Sequence, residues 1–177
     1  MYSIPDKHLV LRLPTTEDAN DLCEAKNNRE AANLLEGNNK GYTVADIQNW
    51  IAYHNEKSSN HILAIEDALK NKVIGHVGLY DIDKFVGTAE FGILIGLPEY
   101  WGGGLGTAAT RKILEIGFQE MELNRISLHV LSDNSRAIAV YAKLGFVVEG
   151  ELRAAARKGD ELKNVTIMSV LKKEFKS

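Results

Sequence analysis

The 177-residue chain has little of what would place it outside the cell, in a membrane or on nucleic acid. One cysteine, Cys23, excludes a disulfide within the chain, and a cytoplasmic protein is expected. Cys23 falls in helix-like text and reads as a small buried apolar residue. No apolar run approaches the roughly 20 residues of a membrane span. Met1–Lys7 lacks the basic-then-apolar pattern of an export signal. A net charge of −3 carries no basic excess, which argues against a nucleic-acid or anionic-membrane partner. It is mildly compatible with an amine substrate. Histidines, carboxylates and the cysteine form no group with metal-ligand spacing, and no Ser-His-Asp arrangement is suggested. Repeats, low-complexity segments and linkers are also missing. With 45% hydrophobic and 25% charged residues, what remains is one globular domain over residues 1–177.

Its elements read as a mixed α/β order. Alternation over His8–Leu13 predicts a first strand, which Pro14 ends. Thr15-Thr16-Glu17-Asp18 opens helical text to about Asn27, resumed over Arg29–Leu35. Gly37–Tyr42 is a loop, and Thr43 starts another helix through Ile47, Trp50 and Ile51. Strands follow at His61–Ile65, Val73–Tyr80 and Thr88–Leu97, then a helix to about Glu120. Arg125–Leu131 is a strand, and Asp133-Asn134-Ser135 caps a helix that Gly145 stops. Phe146–Leu152 and Asn164–Leu171 close the chain around a charged turn, Arg153–Lys163. An antiparallel meander followed by a β-α-β crossover predicts a mostly antiparallel sheet that changes character in its middle, flanked by helices. Ligands usually bind at such a switch.

The run Trp101-Gly102-Gly103-Gly104-Leu105-Gly106-Thr107 lies at that point, between a strand and an amphipathic helix. A helix start presents unpaired N–H groups and the positive end of the helix dipole. Glycine lets a bulky anion approach them, so a phosphate-bearing ligand is the expectation. A turn without a ligand is the plainer reading. A P-loop needs Lys then Ser/Thr after the last glycine, and Leu105-Gly106-Thr107 has no lysine. A dinucleotide fingerprint would put its third glycine on Thr107 and belongs at the first strand of its unit. Neither fits.

A second stretch runs from Asn134 to Phe146. Asn134 and Tyr141 are seven apart, near two helical turns, and share a face. Asn134 can cap the helix or bond a ligand, and Tyr141 can offer a phenol or simply pack.

The glycine run followed by N-x-x-A-x-x-x-Y-x-x-x-G-F resembles the GNAT superfamily of N-acetyltransferases. Glu90-Phe91-Gly92, Ile93–Gly96, Tyr100-Trp101-Gly102 and Phe146–Glu149 are similar to its RimJ/RimL-type branch. The likeness runs over nearly the whole chain and is strongest from Glu90 to Gly150. It implies a single GNAT-like domain whose sheet is splayed between Phe91–Leu97 and Arg125–Leu131, with acetyl-CoA in the opening. Its pyrophosphate would lie on the backbone of Gly102, Gly103, Gly104, Leu105, Gly106 and Thr107, beside Trp101. Backbone groups near Ile95 and Gly96 would hold the pantetheine arm and thioester carbonyl. Asn134 would bond the cofactor and Tyr141 would sit beside the sulfur. The family usually has Gln or Arg at the place of Trp101, and many RimL-like members have Lys at Gly103 and Glu at Ala108. Losing that lysine would weaken phosphate binding modestly. The resemblance also implies a homodimer.

Acetyl transfer needs a neutral amine, a polarised thioester carbonyl and a proton for the leaving thiolate. Tyr141 is the candidate acid and Glu90 the candidate base, with His129 on the facing strand as the alternative and His76 behind it. The acceptor would be a protein N-terminus, a polyamine or a small-molecule amine. Glu30, Glu36 and Asp46 are candidates to meet a cationic acceptor, although solvated surface is the plainer reading for each. A non-catalytic acyl-CoA sensor is the competing function. A structural protein with an empty cleft is the third, and the unobstructed glycine run argues against it.

Overall fold

The computed structural model describes residues 1–35 and 41–176. Glu36 and most of the expected 37–42 loop lie outside the described residues. Eight strands form one sheet: β1 (Tyr2–Ile4), β2 (Leu9–Arg12), β3 (His61–Asp67), β4 (Lys72–Asp83), β5 (Thr88–Ile95), β6 (Arg125–Leu131), β7 (Val147–Lys158) and β8 (Glu161–Leu171). Their order is β1-β2-β3-β4-β5-β6-β8-β7. Neighbours are antiparallel except β5 and β6, which run parallel. The helices are α1 (Ala19–Asn27), α2 (Arg29–Asn33), α3 (Val44–Glu56), α4 (Leu105–Glu115) and α5 (Ser135–Lys143).

The sheet has two covered faces because its strands alternate apolar side chains in both directions. Phe91, Ile126, Leu128 and Val130 pack with Ile113, Leu114 and Phe146 in the larger core, beneath α4 and α5. Ala64 and Val73 pack on the other side against Leu22 of α1 and Ile47 and Ile51 of α3. Helix α3 starts where expected: Thr43 accepts from the Asp46 N–H, and the Asp46 carboxylate accepts from the Thr43 N–H. Cys23 is half-buried at the edge of the smaller core and donates to the Tyr42 carbonyl.

Three expectations change. Tyr2–Ile4 is a strand, paired to β2, where no strand was expected. The helix after the glycine run is α-helical only to Glu115, and Ile116–Glu120 continues as a π-turn. The charged turn Arg153–Lys163 is a hairpin whose strands run on to Lys158 and Glu161. Its residues are mostly exposed, so no alternation of apolar residues marks them as strand.

Gly96 has a packing role. A Cβ there would lie 2.2 Å from the Ala25 carbonyl oxygen of α1, and its N–H donates to the Ile74 carbonyl. Only glycine allows this approach of α1 to the sheet. Gly96→Ala is expected to destabilise the fold by about 3 kcal/mol, the upper end for forcing an atom into packed backbone. Urea unfolding would measure it.

Candidate active site

β5 and β6 pair only through Thr88↔Arg125, Ala89↔Ile126 and Glu90↔Ser127. Beyond Glu90 they part, and a cavity of about 660 Å³ opens between them. This is the splayed sheet that the resemblance implied, at the place where the element pattern predicts a change of character. The Gly96 N–H bonds β4, and ladder groups alternate along a strand. The N–H groups of Ile93 and Ile95 therefore face the gap.

One side of the gap holds the glycine run and α5. Gly102 and Gly104 have φ of +88° and +78°, which side chains rarely adopt. Gly104 caps α4, and its carbonyl accepts the first helical bond, from the Ala108 N–H. The N–H groups of Leu105, Gly106 and Thr107 precede that bond and so have no partner within the helix. Trp101, Gly102, Gly104, Gly106 and Thr107 line the cavity, whereas Gly96, Gly103 and Leu105 are not among its lining residues. Trp101 donates its indole N–H to the Ile95 carbonyl at 2.8 Å, which commits that carbonyl. The Arg136 guanidinium sits 5.7 Å from the Trp101 ring centre.

Asn134 caps α5 through the Ala137 N–H and also donates to the Leu34 carbonyl at 3.3 Å. Its side chain thus ties α5 to the end of α2 across the cavity mouth. Tyr141 lines the cavity on the same face of α5, its ring 5.8 Å from Phe91 and 5.7 Å from Phe146. Burial pushes its phenol up to about 12.

The other side of the gap holds the titratable groups. Glu90 and His129 come together, Glu90 Oε1 lying 3.2 Å from His129 Nδ1. Strand alternation turns both away from Phe91 and Leu128, toward the α1 side of the sheet. Tyr80 is paired with Glu90 across the β4–β5 ladder. Burial, and then the Glu90 charge, push the Tyr80 phenol up. His76 is buried against Trp50, and burial holds its pKa well below the ordinary histidine value. Lys26 reaches the cavity from α1, with its ammonium over the Trp50 ring at 4.3 Å. Burial lowers it to about 8.

Tyr80 and Lys26 were not anticipated. Tyr80 was readable as the cross-strand neighbour of Glu90; nothing local marks Lys26. Of the acids suggested for the acceptor, Glu30 is exposed and away from the cavity lining, and Asp46 is exposed and occupied as a cap. Among the described residues, no group of three or more His, Cys, Asp or Glu side chains is placed to hold a metal ion. No helix among them is long and apolar enough to cross a membrane.

A helix start bared by glycines, set at a gap between two parallel strands, is a place for a ligand that carries phosphate. Residues 8–147 match the model of the acetyltransferase (GNAT) domain, and the chain belongs to that family. It is an acetyl-CoA-dependent acyltransferase. It is 31% identical over 180 residues to the uncharacterized N-acetyltransferase p20 of Bacillus licheniformis, covering 99% of each chain. A stretch of 101 residues is 37% identical to spermidine N(1)-acetyltransferase of Escherichia coli, covering 57% of this chain and about half, 54%, of that protein. The spermidine N-acetyltransferase of Vibrio cholerae, solved with CoA and spermine, superposes with a TM-score of 0.86. It is 26% identical, with 94% of this chain and 97% of that one covered.

Proposed function

We propose that the protein transfers an acetyl group from acetyl-CoA to a primary amine by direct attack within a ternary complex. The observation that carries this reading is the gap itself: it joins the glycine run on one face of the sheet to the Glu90–His129 pair on the other. Cofactor and acceptor enter from opposite faces and meet where β5 and β6 part.

In this reading Gly102 to Thr107 cradle the pyrophosphate on bare N–H groups. Asn134 bonds the pantetheine arm. The Ile93 and Ile95 N–H groups receive the thioester oxygen as it gains charge. Ile95 therefore keeps the role expected of it through its N–H, and Ile93 replaces Gly96. The amine loses a proton to the Glu90–His129 pair, its nitrogen bonds the carbonyl carbon, and the C–S bond breaks. Tyr141 donates to the departing sulfur. Glu90 is the base in contact with solvent and acceptor, and His129 holds and shares its proton.

The acceptor is read as an amine of low positive charge, a protein N-terminus or a small monoamine, in keeping with a RimJ/RimL-type enzyme. Among the described lining residues Glu90 is the only carboxylate, and Lys26 adds a cation. A polycation would meet repulsion there. The second reading, a polyamine acceptor, is favoured by the Vibrio cholerae neighbour that holds CoA and spermine. A cytoplasmic homodimer completes the proposal.

Free-thiol release from acetyl-CoA, measured against peptides, amino acids, amino sugars, aminoglycosides and polyamines, tests it. Turnover is expected with peptides or monoamines, at a kcat/KM at least about tenfold above spermidine. Preference for spermidine would move the assignment to the second reading. CoA binding without turnover on any amine would favour the sensor. Glu90→Gln should lower kcat about a hundredfold, the usual effect of losing a positioned base.

A further inference from the structure

The glycine run carries no charge from Trp101 to Thr107. The structure brings an ammonium to the start of α4 from elsewhere in the chain. Lys7 closes a 3₁₀ turn between β1 and β2 and reaches the start of α4. Its Nζ lies 3.7 Å, and its Cε 3.8 Å, from where a Cβ on Gly104 would stand. The side chain is half-buried, and no carboxylate among the described residues is paired with its ammonium.

This is the wrong end of a helix for a cation. The N-terminus of α4 is already positive, and lysines stabilise the opposite end. An ammonium beside a helix start adds charge of the same sign, which an anion held there would offset. Arg136 of α5 stands over Trp101, at the beginning of the same uncharged run.

We propose that Lys7 supplies, from the β1–β2 corner, the cation that the glycine run lacks, and that its ammonium binds the phosphates of the acetyl-CoA nucleotide. This rests on the reading of Gly102–Thr107 as the phosphate cradle. Lys7 then sets cofactor affinity without touching the reacting atoms, and an element outside the β5–α4 unit becomes part of the cofactor site.

CoA binding measured by calorimetry tests this. Lys7→Met keeps the apolar stem and removes the charge. It is expected to weaken CoA about tenfold at low salt, the worth of one charge-assisted contact. The difference should shrink at high salt, where screening replaces the lost cation. Lys7→Arg should bind within about threefold of wild type. Adding Gly103→Lys to Lys7→Met should restore most of the affinity, because a side chain at 103 meets open space and no positive φ. CoA binding by Lys7→Met within twofold of wild type would overturn the proposal. So would a loss that neither salt, Lys7→Arg nor Gly103→Lys relieves, since that loss would be structural. Failure of the cradle reading looks different: Gly104→Glu would then bind CoA as wild type does.

Discussion

Gly104→Glu is expected to weaken acetyl-CoA binding about a hundredfold, whereas Gly104→Ala should weaken it no more than about threefold. The two variants share one defect. At φ +78° any side chain strains the backbone by about 1–2 kcal/mol. That strain is present with and without cofactor, so it lowers the melting temperature of both and the affinity of neither. Space is not the issue, since a Cβ there makes only ordinary contact with Lys7. What glutamate adds is a negative charge at the helix start. Opposed to a phosphate at about 4 Å, it costs on the order of 4 kcal/mol at an effective dielectric near 20, less where solvent screens the cavity mouth. A hundredfold loss is about 2.7 kcal/mol. The new carboxylate would also pair with Lys7 and occupy the one cation on that flank. Equal affinities for the alanine and glutamate variants would remove the phosphate from this position.

Sequence reading reached the elements that mark themselves locally. β5, α4, β6 and α5 have periodic apolar residues bounded by glycines or a capping asparagine, and their bounds hold to a few residues. Helical spacing puts Asn134 and Tyr141 on one face, and both line the cavity; their roles toward a cofactor are what the resemblance implies. The misses have a common cause in long-range contact. Glu90 and His129 are far apart in the sequence, and they meet only because a parallel register sets Glu90 beside Ser127. Both were named as candidates, but as rivals; the structure makes them neighbours. The resemblance implies a cofactor role for Gly96. Its close approach to the backbone of α1 is a separate reason for glycine there, and no signal near residue 96 announces a helix about 70 residues away in the chain. Lys7 was passed over for the same reason, its partner helix beginning at Leu105. The outer hairpin of β7 and β8 was lost to the opposite problem. Its exposed, charged residues carry no buried face to give them a period.

Tyr141→Phe is expected to lower kcat about a hundredfold, with KM for acetyl-CoA within about twofold of wild type. The ring packs on Phe91 and Phe146, and phenylalanine keeps those contacts. Only the hydroxyl is lost, and in the proposed reaction it acts late, when the sulfur leaves. Burial decides how it acts. A phenol pushed up to about 12 is a weaker acid than a thiol that ordinarily titrates about pH 8.5. Full proton transfer from Tyr141 to the thiolate is then uphill by about 3.5 pH units, or roughly 5 kcal/mol. The hydroxyl is better described as a donor that shortens its hydrogen bond as charge gathers on sulfur, with solvent completing the protonation. The same shift fixes the sign of the pH dependence. The active form is the protonated one, and a raised pKa keeps it protonated on the alkaline side, so wild-type kcat should show no decline from Tyr141 up to about pH 10. The variant should therefore lose rate by a constant factor across that range rather than change the shape of the profile. Steady-state kinetics from pH 6 to 10 would show it. Unchanged kcat at every pH would take Tyr141 out of the reaction and leave the departing thiolate to solvent alone.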